Sequence, residues 1–146
     1  MEALNLNIDL KDTDTSMPVL AAGNYLCSIK EASPVPNKAE TGHNLLVIFS
    51  TQEENETNTG GVANAGYQFR KYYPLQASEN PSYDFKRDLA KLYDAAFNPE
   101  SDADRPEITL ETIASLVECD VIVGVKITDN EQYGPQNEVR SVKAVG

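Results

Sequence analysis

Residues 120–128 read Asp-Val-Ile-Val-Gly-Val-Lys-Ile-Thr, with Val121, Val123, Val125 and Ile127 at every second position. A period of two places these side chains on one face of an extended strand, where β-branched residues sit well. A helix would scatter them around its circumference. A strand needs partners, and four other stretches offer them. Tyr25, Cys27 and Ile29 alternate after Gly23, and Leu45 to Phe49 are continuously apolar within Asn44–Thr51. Such a run is expected in a strand covered on both faces or at a tightly curved position. In Gly66–Leu75 the odd positions Tyr67, Phe69, Tyr73 and Leu75 are expected to face the core, with Lys71 as the exception. Gln68, Arg70 and Tyr72 then point outward. In Glu138–Val145 the apolar phase slips between Val139 and Val142, which predicts a bulge.

One longer segment has a helical period. Phe85, Leu89, Leu92, Tyr93 and Ala96 return to a single face, Asn80-Pro81 or Ser82 with Asp84 can start the helix, and Asn98-Pro99 ends it. Thr109 is expected to cap a short helix to about Val117, with Leu110, Ile113 and Leu116 inward. Pro34 and Pro36 make Ser33–Gly42 a loop, and residues 52–65 read as a long flexible polar loop. Residues 1–18 form an acidic arm in which Leu4, Leu6, Ile8 and Leu10 alternate as in a short edge strand. Residues 19–146 form the domain. The predicted fold is mainly β: a five-stranded OB-fold-like barrel with a helix between strands 3 and 4.

Catalytic chemistry finds little footing. His43 is the sole histidine, beside Gly42, and the two cysteines, Cys27 and Cys119, have no metal-ligand spacing. Both are expected to be thiols in a reducing compartment. No phosphate-cradling glycine motif occurs. The expectation is a noncatalytic protein without cofactor or metal. No apolar run reaches the length of a membrane span, and the first eleven residues do not read as a signal peptide.

Five stretches carry a resemblance. They are Gly23-Asn24-Tyr25-Leu26-Cys27-Ser28-Ile29; Lys38 to Gly42 leading into Leu45–Phe49; Asn80-Pro81 opening a helix through Leu89, Leu92 and Ala95-Ala96; Leu116 through Val123; and Asn137-Glu138-Val139. In order and spacing the chain resembles a phage-encoded family of single-stranded-DNA-binding-like proteins over most of residues 20–145. The resemblance implies an OB-type fold and a protein coating unpaired DNA during replication or recombination. It also implies a place in the host cytoplasm, with phage replication or recombination proteins as further partners. Many single-stranded-DNA-binding proteins end in an acidic recruiting tail, whereas this chain ends Lys143-Ala144-Val145-Gly146, leaving the acidic N-terminal arm as the segment able to play that part. Edge strands and the arm leave a homo-oligomer open.

A net charge of −11 opposes binding to phosphate unless the charge is segregated. Residues 1–20 sum to −3, residues 62–93 to +2, and further acids cluster at 53–56 and 100–107. At physiological salt, charges beyond roughly 8 Å are largely screened. The strand phases put Lys30, Arg70, Tyr72 and Lys126 on the outer face, joined by Arg140 if its strand keeps phase through the bulge. Arg70 beside Tyr72 pairs a cation with a ring, the combination that holds a phosphate and stacks a base. Lys38 and Tyr133 in flanking loops complete the expected DNA-binding set, with Lys71 and Tyr73; for Tyr73, core packing is the competing and preferred reading. Two other functions fit an acidic chain: a protein-interaction module imitating DNA, with carboxylates in rows over the outer face, or a phage structural or assembly protein.

Overall fold

The computed structural model describes residues 6–11, 18–76, 84–131 and 134–145. Among the described residues, seven strands and two α-helices follow in the order β1 (Gly23–Pro36), β2 (His43–Thr51), β3 (Asn55–Glu56), β4 (Val62–Ala63), β5 (Gln68–Pro74), α1 (Phe85–Phe97), α2 (Leu110–Ser115), β6 (Asp120–Asn130) and β7 (Gly134–Ala144). The fold is mainly β. Five strands form one antiparallel sheet in the order β5-β2-β1-β6-β7, and β3 and β4 pair separately as a small hairpin. The sheet is not closed: β5 and β7 are its two edges, and they approach one another without a shared ladder. Helix α1 packs chiefly on β7 and also touches β5 and β6, so it lies over the opening between the edges.

The period-two reading of the faces holds. Cys27 and Ile29, Leu45, Val47 and Phe49, Phe69 and Tyr73, and Val121, Val123 and Val125 are all buried in one cluster. Leu89, Leu92 and Tyr93 of α1 and Ile113 of α2 close that cluster from the other side. In β2 the outward Ile48 and Ser50 are buried as well, while Asn44 and Leu46 on the same face are only partly so. The slip in the last strand is a bulge: Gly124 pairs with Ser141 and Val125 with Val139, leaving Arg140 as the extra residue.

Several expectations change. β1 does not stop at Ser33; it runs through both prolines, with Pro34 opposite Leu45 and Pro36 opposite His43. Past Ile29 the strand is paired on one side only, and two prolines two residues apart lose their N–H on the same edge, which no neighbour needs. Residues 52–65 are not simply loop. They hold the β3–β4 hairpin, and Thr57 is buried against an incoming segment at Val19-Leu20. No strand occurs over the described residues 6–11, where Leu6, Ile8 and Leu10 are each about 70% exposed; alternation without an edge to pair with forms no ladder. Leu4 lies outside the described residues, as do Asn80, Pro81 and Ser82. The described cap of α1 is Asp84, whose carboxylate accepts from the Lys86 N–H, and the helix ends at left-handed Asn98, as the Asn98-Pro99 pair predicts. Thr109 caps α2 in a reciprocal capping box with Thr112, but Leu110 is exposed rather than inward.

Both cysteines are free. Burial pushes the Cys27 thiol up to about 12, and burial together with Asp120 raises Cys119. Because the thiolate is the nucleophile, Cys27 is expected to resist alkylation at pH 8 in the folded protein. Its modification, followed by mass spectrometry, should track unfolding in urea, with Cys119, which is partly exposed, reacting first.

Candidate nucleic-acid interface

The outer wall of β2 and β5 is built by register. Leu46 lies opposite Tyr72, Ile48 opposite Arg70, and Ser50 opposite Gln68. On the other side of β2, Ser33 faces Leu46, Glu31 faces Ile48, and Ser28 faces Ser50. Three rows therefore cross the wall: Tyr72-Leu46-Ser33, Arg70-Ile48-Glu31 and Gln68-Ser50-Ser28. Successive rows are about 7 Å apart, two residues along a strand.

Tyr72 is 51% exposed at one end of this wall. Its ring borders a hollow of about 570 Å³ that Lys38, Val35 and Leu46 also line. The β1–β2 turn thus brings a cation to a half-exposed ring whose neighbour along β5 is Arg70. Lys30 borders a smaller hollow at the far end, with Ser28, Ser50 and Glu118. Four of the expected residues, Lys30, Lys38, Arg70 and Tyr72, share one wall.

Two features of that wall escape the strand phases. β1 carries a bulge between Ile29 and Glu31, so Lys30 is the extra residue and Glu31 takes the outward position in the Arg70 row. The wall therefore includes a carboxylate about 10 Å from Arg70, two strand spacings across. No apolar residue follows Ile29 closely enough to reveal the slip in the sequence.

The remaining expected residues lie elsewhere. Tyr73 is 2% exposed and forms part of the core, so its ring has no open face for a base. Burial, then the nearby Asp88, raises its phenol well above the usual range. Lys71 follows the inward phase of β5 and rests its ammonium 5.1 Å from the centre of the Tyr73 ring. Lys126 is outward on β6, and its ammonium is 3.7 Å from the Glu138 carboxylate directly opposite on β7. Arg140, at the bulge, borders two hollows at the β7 edge. Tyr133 lies outside the described residues.

The acids follow the segregation only in part. Arg105 grips Asp94 through two bonds of 2.7 and 2.8 Å and reaches Asp102 at 3.2 Å, which fastens the acidic 100–107 segment to α1. These hydrogen bonds hold the Asp94 carboxyl below its ordinary value, and they occupy a cation that is then not offered to a ligand. In the five-stranded sheet the outward acids are dispersed: Glu31 faces Ile48, Asp120 faces Ser28, and Glu138 faces Lys126. No known family model and no curated protein matches the chain.

Proposed function

We propose that this protein binds single-stranded DNA without catalysing a reaction, and that it coats unpaired phage DNA during replication or recombination in the host cytoplasm. The observation that carries the reading is the half-exposed Tyr72 ring set between Lys38 and Arg70 on the β2–β5 wall. A base stacks on such a ring whatever its identity, and the flanking cations hold the phosphates on either side. We read the open five-stranded sheet as OB-type from its strand order, and that reading supports the same function. Counting only the long strands, the sheet runs third-second-first-fourth-fifth, with both helices between the third and fourth in the chain and the third and fifth facing across the opening. OB-folds bind oligonucleotides on the face of their second and third strands, beside the loop joining the first two. The DNA-mimic reading needs carboxylates in rows, and the dispersed outward acids do not supply them.

The test is a titration of labelled dT35 at low and moderate salt, with a matched duplex as control. Binding of the single strand that weakens steeply with salt is expected, together with much weaker binding of the duplex. Absence of binding to either form at low salt would end the proposal. Replacing Arg70 with Gln is expected to lower the slope of log K against log salt by about 0.7, the value of one phosphate contact to a single strand.

A further inference from the structure

A second concentration of cations lies off the wall, at the edge strand β7. Arg140, Ser141 and Lys143 border two hollows at once. The first, about 510 Å³, opens on the outer face of β1, β6 and β7, and Lys126, Asn24 and Gly124 complete its polar lining. The second, about 310 Å³, lies in the seam between β5, α1 and β7, where Lys71 and Lys91 face the same two β7 cations. Five of the twelve Lys and Arg side chains of the chain thus border these two hollows, and among the described residues Asp88 is the one carboxylate in their lining. Lys126 is partly neutralised by Glu138, and Lys71 is turned over Tyr73. Lys91, Arg140 and Lys143 are exposed and form no ion pair among the described residues.

The backbone arranges this concentration. The bulge takes Arg140 out of the regular alternation, and it borders both hollows together with Ser141 and Lys143. Gly124 lies between Asn24 of β1 and Ser141 of β7, and a Cβ there would make the Ser141 hydroxyl and the Asn24 amide swing aside. In a chain of net charge −11, four elements bring five cations to one edge, beside two acids, Asp88 and Glu138. The two hollows share Arg140, Ser141 and Lys143 of the edge strand, a run of positive charge that suits an extended polyanion better than an enclosed small molecule. Arg140 supplies a planar fork suited to a phosphodiester, and the lysines supply point charges.

The geometry points to the β7 seam as a second site for the phosphate backbone of a polynucleotide, extending the footprint of the strand beyond the β2–β5 wall. This inference rests on the proposed reading for the identity of the ligand, but not for the existence of the site. Its test compares dT35 binding by wild type, a wall variant (Lys38→Gln with Arg70→Gln) and a seam variant (Lys91→Gln, Arg140→Gln, Lys143→Gln). The seam variant is expected to lower the salt slope by about 2, three contacts at about 0.7 each. A seam variant with the wild-type slope, beside a wall variant whose slope falls, overturns the seam and leaves the wall standing. Amide shifts of the wild-type protein give a readout independent of how the variants fold. Titration with dT35, or with inorganic tripolyphosphate if no oligonucleotide binds, is expected to move the amides of 140–143 and of Lys91. Shifts there without oligonucleotide binding sustain the anion site while the wall reading fails. Shifts absent from 140–143, or equally large with poly-glutamate, overturn the inference, the latter because an acidic peptide would then be the fitting partner.

Discussion

Replacing Asn137 with alanine is expected to cost about 3 kcal/mol of stability, because it strands backbone groups that water cannot readily reach. The Asn137 amide acts as one rung of a ladder. Its Oδ1 accepts the Leu20 N–H at 2.9 Å and its Nδ2 donates to the Leu20 carbonyl at 2.8 Å. The same Oδ1 accepts from the Tyr67 hydroxyl at 3.2 Å. On the other side, the Val19 carbonyl accepts the Asn58 N–H at 2.7 Å and Ala21 donates to Glu56 at 3.2 Å. The Val19–Ala21 segment is thus held between the β3–β4 hairpin and β7, with the Leu20 side chain fully buried. Without the amide, two backbone groups and a tyrosine hydroxyl lose partners together. Thermal unfolding followed by circular dichroism should show a fall of roughly 10 °C. Asn137→Asp keeps an acceptor for the Leu20 N–H but sets a second oxygen against the Leu20 carbonyl, and it should do no better. A midpoint within 3 °C of wild type for Asn137→Ala would mean that this segment is not part of the cooperative fold.

Tyr72→Ala is expected to weaken dT35 binding by about 1–3 kcal/mol, roughly 5- to 150-fold, with little change in salt slope. The ring supplies stacking and no charge, so the released counterions stay the same. Stability should hardly move, since half of the side chain already faces water and its cross-strand neighbour Leu46 is itself only partly buried. Tyr72→Phe should retain most of the affinity, because it keeps the ring. A loss shared equally by Phe and Ala would point to the hydroxyl rather than to stacking. Wild-type affinity for both variants would remove the wall from the interface. Arg70→Gln supplies the opposite pattern, a smaller slope at modest cost, so the two variants together separate base contact from phosphate contact.

The sequence by itself determined which residues face inward. Val121, Val123 and Val125 in β6, and Phe69 and Tyr73 against Gln68, Arg70 and Tyr72 in β5, declare their faces because strand period is local and apolar side chains must leave water. The β7 bulge is legible for the same reason, since Val139 and Val142 on opposite phases cannot both be inward without an extra residue. The matching bulge at Lys30 is silent, because Glu31, Ala32 and Ser33 carry too little hydrophobic contrast to mark a slip. Tertiary structure alone decided where charges meet. Lys91 of α1 lines the same hollow as Arg140 and Lys143 only because the helix crosses the gap between two sheet edges that are about sixty residues or more apart in the chain. Lys38 meets Tyr72 only because β1 continues through its prolines and carries the turn to the end of the wall. Hydrophobic alternation is read one strand at a time, whereas an electrostatic surface is a sum over elements, and that sum exists only once the chain has folded.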